Sequence, residues 1–215
     1  MGDIPMTIML ETERLRLRRF TYDDIDALVA LDSDPEVMRF LNGGVPTPRA
    51  LIESEILPRF LRSYTHGDGF GVFAAIEKAT GKFLGWFGFR PRKGAAAGEI
   101  ELGYRLQRVA WGKGYATEGA RALIRRGFTD LGVQRVMATT YQDNLPSRRV
   151  MERAGLRFVR AYRMAPEELA AEATSFVSAD DLWDGDDVEY ALTRSDWERQ
   201  EALAQERMDS DAGVS

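Results

Sequence analysis

Trp111-Gly112-Lys113-Gly114-Tyr115-Ala116-Thr117 is the stretch on which the reading of this chain turns. Ahead of it, Ile100, Leu102, Tyr104 and Leu106 alternate with Glu99, Glu101, Gly103 and Arg105, the period of a strand with one buried face. Behind it, Ala116, Ala120, Leu123, Ile124 and Phe128 fall on one helical stripe. The order is strand, glycine loop, helix. Glycines at 112 and 114 let backbone N–H groups turn towards an anion, and a helix N-terminus adds partial positive charge. A pyrophosphate is the natural occupant. The spacing is not that of a Walker A loop, because Gly-x-x-x-x-Gly-Lys-Ser/Thr is absent. Nor is it a Gly-x-Gly-x-x-Gly dinucleotide turn, since Thr117 stands where the third glycine would fall. By itself the loop also fits a plain strand-to-helix turn.

Working outward, Thr12 to Phe20 alternates and predicts a half-buried strand. Thr21 to Asp24 resembles a capping box, with Ile25, Leu28, Val29 and Leu31 on the helix after it. A second helix is predicted from Pro48 to Tyr64. Phe70–Ile76 and Phe83–Phe89 read as a hairpin around Thr80-Gly81. Downstream come a strand at Arg135–Tyr141, a helix at Pro146–Ala154 and strands at Leu156–Met164 and Val188–Thr193. Ser195 to Glu198 is a capping-box pattern that opens a polar C-terminal helix, fraying towards Ser215. No repeat or linker divides the chain. The expected fold class is mixed α/β (α+β). One domain spans residues 1–198 and a polar tail spans 199–215, with a mostly antiparallel sheet of about seven strands, one parallel step and helices on both faces.

The composition narrows the chemistry. With no cysteine in 215 residues, disulfides, thiolate metal sites and a cysteine nucleophile are excluded. The one histidine, His66, sits in a Gly/Asp-rich loop and reads as an exposed residue without a role, so no metal site is expected. A net charge of −5 argues against binding nucleic acid. No membrane span or signal segment is legible, and a cytoplasmic protein is expected.

Several ordered motifs carry a resemblance that covers Thr12 to Trp197. They are Thr12-Glu-Arg-Leu-Arg-Leu-Arg18, Gly85-Trp-Phe-Gly88, Glu101-Leu-Gly-Tyr104, Trp111 to Glu118, Asn144-Leu-Pro-Ser147, Met151 to Gly155 and Glu189 to Trp197. In these the chain resembles the GNAT N-acetyltransferase superfamily, and within it the ribosomal-protein-alanine (RimJ/RimL-like) branch. The resemblance implies transfer of acetyl from acetyl-CoA to a primary amine, by direct attack within a ternary complex. The acceptor would be a protein N-terminus or a small cationic amine, and a homodimer would be in keeping with the branch. It implies that Gly112, Lys113, Gly114, Tyr115, Ala116 and Thr117 hold the coenzyme's pyrophosphate. Trp111 would stand where the superfamily carries Gln or Arg, and Leu106 and Asn144 would meet the pantetheine arm. The alternative within the family is a catalytically silent acetyl-CoA sensor; outside it, a nucleotide-phosphate binder.

Amine acetylation calls for a base, a donor to the developing oxyanion and an acid for the departing sulfur. Glu101 is the first candidate base and Glu99 the second. They sit two apart on one strand and so share a face, although both could be ordinary solvated residues. Where many relatives carry an acidic tyrosine this chain has Met151, and Ser147 takes that place by its resemblance to the branch. Plain helix capping would also explain Ser147. Tyr141 and Tyr162 are substitutes that read better as packed strand residues. Lys113, Arg148 and Arg149 could meet phosphates or simply be solvated. The acidic run Glu167, Glu168, Glu172, Asp180, Asp181, Asp184, Asp186 and Asp187 could draw in a cationic amine or form an ordinary loop.

Overall fold

The computed structural model describes residues 7–91, 96–163 and 185–212. Eight strands form one sheet: β1 (Ile8–Glu11), β2 (Leu15–Arg19), β3 (Gly71–Glu77), β4 (Phe83–Pro91), β5 (Glu99–Leu106), β6 (Arg135–Tyr141), β7 (Arg157–Tyr162) and β8 (Asp187–Thr193). Their spatial order is β1-β2-β3-β4-β5-β6-β8-β7. Among the described residues only β5 and β6 run parallel. The mixed, mostly antiparallel sheet is as expected. The eighth strand is β1, a half-exposed edge whose contiguous Ile8, Met9 and Leu10 give no alternation to read.

Helices cover both faces. On one lie α1 (Ile25–Asp32), α2 (Pro35–Asn42) and the segment made of α3 (Arg49–Leu51), a wide turn (Ile52–Ile56) and α4 (Leu57–Ser63). Leu28, Ile52, Leu57 and Phe60 pack there against Phe20, Val72 and Ala74. On the other lie α5 (Tyr115–Asp130), α6 (Leu145–Arg153) and α7 (Arg194–Ala212), over Phe73, Phe87, Phe89 and Leu102. The period of two is visible within β3, where Val72 and Ala74 join one core while Phe73 and Ala75 join the other.

Three local details depart from the sequence reading. The predicted helix Pro48–Tyr64 is broken. Pro58 has no N–H to offer the turn before it, and Leu57 N instead reaches Ile52 O, an i−5 bond. The C-terminal helix is capped by Thr193 rather than Ser195. Asp196 N donates to Thr193 Oγ1 at 3.2 Å, and that hydroxyl donates to Asp196 Oδ2 at 2.7 Å. Asn144 caps α6, its Oδ1 accepting from Ser147 N at 3.3 Å. Capping therefore falls to Asn144 and leaves the Ser147 hydroxyl free of that task.

Helix α5 sits unusually close to the sheet. A Cβ at Gly119 would lie 2.3 Å from Phe87 Cζ, and one at Gly127 2.6 Å from Phe89 Cζ. Each glycine costs about 1 kcal/mol of helix propensity. The two phenylalanine rings fill the space they leave and are fully buried. We expect Gly119→Ala to destabilise the fold by about 1–3 kcal/mol through overpacking, despite alanine's better propensity. Urea unfolding measures this, and a stabilised variant would refute the close approach.

Candidate functional site

The parallel pair is short. Glu99, Ile100 and Glu101 register with Arg135, Val136 and Met137, and beyond them the strands part. Leu102 to Leu106 stays bonded to β4 on its other side. Gln107 N donates to Leu84 O at 2.7 Å, so strand alternation turns the N–H groups of Tyr104 and Leu106 towards the gap. The Leu106 carbonyl is occupied by Trp111 Nε1 at 2.8 Å. The gap is thus lined on the β5 side by backbone donors.

The glycine loop closes the wide end. Gly112 (φ 71°) and Gly114 (φ 84°) both take the left-handed conformation, and Gly114 is the N-cap of α5. No side chain caps the first turn, so its N–H groups remain to meet an anion. Open space surrounds the position a Cβ would take on Gly112. Tyr115 is the first residue of α5. Its ring is buried and its hydroxyl bonds Glu77, which leaves only its backbone at the loop. Lys113 is exposed, and Ala116 and Thr117 are half-buried on the first turn.

A clamp that the sequence reading missed holds this loop. Arg14 Nη1 donates to Lys113 O at 2.9 Å, and Arg14 Nε donates to Glu118 Oε2 at 2.6 Å. Arg14 N and Thr12 Oγ1 donate to Glu118 Oε1 at 2.9 and 2.5 Å. The guanidinium also lies 4.5 Å from the centre of the Tyr115 ring. Burial pushes the Glu118 carboxyl up, but the bonds from Thr12 and Arg14 outweigh it and hold the group below its ordinary value. The partners are about a hundred residues apart, so no local pattern could pair them.

The two candidate bases separate. Glu99 binds Arg135 at the closed end of the gap. Arg135 reaches on to Glu189 at 2.7 Å, and Arg160 binds Glu189 at 3.0 Å. Glu101 lies where the strands begin to part. It faces the α1–α4 side, and its only ion-pair contact among the described residues is a loose one, Arg90 Nε at 3.8 Å.

Ser147 lies across the sheet from Glu101. Its Oγ is 3.0 Å from the Tyr104 hydroxyl, which also donates to Ser147 O at 2.9 Å. Burial pushes the Tyr104 phenol up, and the Ser147 bond offsets this only in part. Tyr104 falls on the apolar side of the alternating strand, so sequence reading placed it in the core. Only its partner on α6 reveals another task. Asn144 Nδ2 donates to Thr140 Oγ1 at 3.0 Å, which fixes the amide at the rim of the gap. Met151 is buried core.

Arg148 is tied to Tyr190 and to Gln142 O, while Arg149 is exposed. His66 is exposed in a short turn. Of the acidic run, Glu167, Glu168, Glu172, Asp180, Asp181 and Asp184 lie outside the described residues, and Asp187 is buried. Among the described residues no cluster of three or more His, Asp or Glu could hold a metal. No helix there is long and apolar enough to cross a membrane.

Residues 14–157 match the model of the acetyltransferase (GNAT) domain. The FsC-acetyl coenzyme A-N(2)-transacetylase of Aspergillus fumigatus is 30% identical over 203 residues, 88% of this chain and 78% of that one. The uncharacterized N-acetyltransferase p20 of Bacillus licheniformis is 33% identical over 138 residues, 64% of this chain and 76% of that one. Among solved structures, a GNAT-family acetyltransferase from Bacillus anthracis superposes with a TM-score of 0.68 at 24% identity, covering 86% of this chain and 98% of that one.

The clamp makes a prediction about acid stability. A carboxyl held below its ordinary value adds stability at neutral pH that is lost as pH falls through the folded-state value. Replacing Glu118 by Gln should lower the melting temperature at pH 7 and narrow the gap to wild type below pH 4. A constant gap across that range would refute the charge contribution.

Proposed function

The chain belongs to the acetyltransferase (GNAT) domain family and is an acetyl-CoA-dependent N-acetyltransferase, and on that premise we propose how its residues divide the work. The observation that carries the reading is the gap between β5 and β6, with uncapped helical N–H groups at its mouth. The fit to the coenzyme is physical. Gly112 and Gly114 leave room for a pyrophosphate, the N–H groups of Gly112 to Thr117 point to it, and exposed Lys113 adds charge. The N–H of Leu106 bonds the pantetheine arm as a strand neighbour would, with Trp111 fixing the loop and Asn144 at the opposite rim. When bound, acetyl-CoA supplies an acetyl group activated as a thioester.

Acceptor and sulfur approach from opposite faces of the sheet. On the α1–α4 face, Glu101 Oε2 takes the proton that the ammonium must lose, directly or through one water. Glu99 is too firmly held by Arg135 to serve as well. On the α5–α6 face, Ser147 Oγ passes its proton to the departing sulfur as it takes up the second proton that the attacking nitrogen sheds, and the Tyr104 hydroxyl keeps that serine oriented. The N–H of Tyr104 or Leu106 meets the carbonyl oxygen as it gathers charge. The amine attacks directly, with both substrates bound; the chain has no cysteine to carry the acetyl group as a thioester.

The branch motifs support a ribosomal-protein-alanine-type enzyme. We take residues 1–198 as the catalytic domain, 199–215 as an appended helix and tail, and the cytoplasm as its location, in line with the cysteine-free, acidic composition.

Thermal shift with acetyl-CoA, coenzyme A, ATP and NAD tests the site. Ligand at 100 times its dissociation constant adds about 2.7 kcal/mol. Acetyl-CoA should shift wild type and fail to shift a folded Gly114→Trp variant; a response to ATP or NAD alone would sink the reading. With an accepted amine, Glu101→Gln should lower kcat by about 10²–10⁴. Tyr104→Phe should lower kcat while leaving both KM values near wild type. Equal losses in KM would mark it as a packing residue only.

A further inference from the structure

The turn that opens α5 has two backbone forms that differ by one peptide. Gly114 stands at φ 84° and ψ −2°, the values of the third residue of a type II turn. A half-turn of the Lys113–Gly114 peptide alone would carry φ to about −90° with ψ still near zero, the type I values. Glycine adopts either readily. A trans peptide directs its C=O and its N–H to opposite sides. The half-turn therefore exchanges a donor for an acceptor on each side of the loop. For an anion seated there it turns attraction into repulsion.

Arg14 selects between the two forms. Its Nη1 donates to Lys113 O at 2.9 Å, and its Nη2 lies 3.4 Å from the position of a Cβ on Gly114. The carbonyl thus faces the guanidinium, and the Gly114 N–H faces away from it. Among the described residues that N–H bonds to nothing. The guanidinium is held too firmly to follow the carbonyl if the peptide turns. Nε and Nη2 both meet Glu118 Oε2 at 2.6 Å, and Cζ lies 4.5 Å from the centre of the Tyr115 ring. Glu118 is anchored in turn by Thr12 Oγ1 and by the backbone N–H of Arg14. With its charge matched by Glu118, Arg14 acts on the loop through the direction of one hydrogen bond. The rigid fork of a guanidinium holds carboxylate and carbonyl together; an ammonium has no such fork.

We infer that Arg14 is a positioning residue for the coenzyme: it locks the Lys113–Gly114 peptide with the amide N–H, and not the carbonyl oxygen, turned to the pyrophosphate. This rests on the coenzyme reading of the loop given above. The glycines make the donor arrangement possible, and Arg14 makes it the one adopted.

Titration of the whole chain with coenzyme A tests this without an acceptor amine. Arg14→Gln should raise Kd by on the order of tenfold, through loss of a charge-assisted bond. Gly114→Ala should raise it as well, because alanine disfavours the left-handed φ and accepts the rotated form. The two losses should not add. Once the peptide has turned, Arg14 has nothing left to hold, so the double variant should bind within about twofold of the weaker single variant. Arg14→Lys should fall between wild type and Arg14→Gln. Melting temperatures without ligand report whether each variant is folded. If Arg14→Gln does not fold, Arg14→Lys and its double with Gly114→Ala carry the same comparison. Additive losses overturn the inference, since Arg14 would then attract the phosphates itself or stiffen the loop in general. Wild-type affinity in Arg14→Gln overturns it too, as does wild-type affinity in Arg14→Lys, which would leave charge alone as the cause. Absence of coenzyme A binding by wild type sinks instead the coenzyme reading beneath it.

Discussion

Three registered residue pairs, Glu99 with Arg135 through Glu101 with Met137, are all that joins the two halves of the sheet in parallel. The site depends on that seam stopping where it does. Backbone polar groups in a sheet must find partners. Past Glu101 the inward-facing amides of β5 have none on β6, and the widening gap is the place a ligand can supply them. A parallel pair needs a crossover, and α5 is that crossover, so the helix N-terminus and the gap arise from one topological step. The anion site and the slot for an extended arm are two ends of the same connection.

Close packing fixes their relative positions. Gly119 and Gly127 let α5 rest on Phe87 and Phe89, which share a face of β4, the strand that pairs with β5 from Ile100 to Leu106. At the closed end, Arg135 bridges Glu99 and Glu189 and so links three strands. Glu189 is buried, and burial would push its carboxyl up, but the bonds from Arg135 and Arg160 hold it below its ordinary value. A rigid end and an open end follow from residues on the same strand, which is why Glu99 and Glu101 have different environments although they share a face.

Much of this was legible in the sequence, because alternation and helical spacing are local. The β5 pattern, the glycine loop and the apolar stripe of α5 gave the central unit directly. The motifs carried the family as well, and the match over residues 14–157 agrees with them. What stayed hidden is non-local. Strand β1 has contiguous apolar residues because an edge exposes both its faces. The break before Pro58 depends on an i−5 bond that spacing alone does not signal. Tyr104 looks like a core residue until its hydroxyl is found on Ser147, 43 positions away.

The bonds from Thr12 and Arg14 to Glu118 and to the Lys113 carbonyl join the turn between β1 and β2 to the mouth of the gap. That turn joins the half-exposed edge strand β1 to β2, whose Leu15 and Leu17 lie in the core. A ligand that orders the loop therefore also restrains the hairpin, and fraying of the hairpin loosens the ligand's seat. Protection of the β1–β2 amides against hydrogen exchange becomes a remote gauge of occupancy at the loop, with the outermost strand acting as a latch.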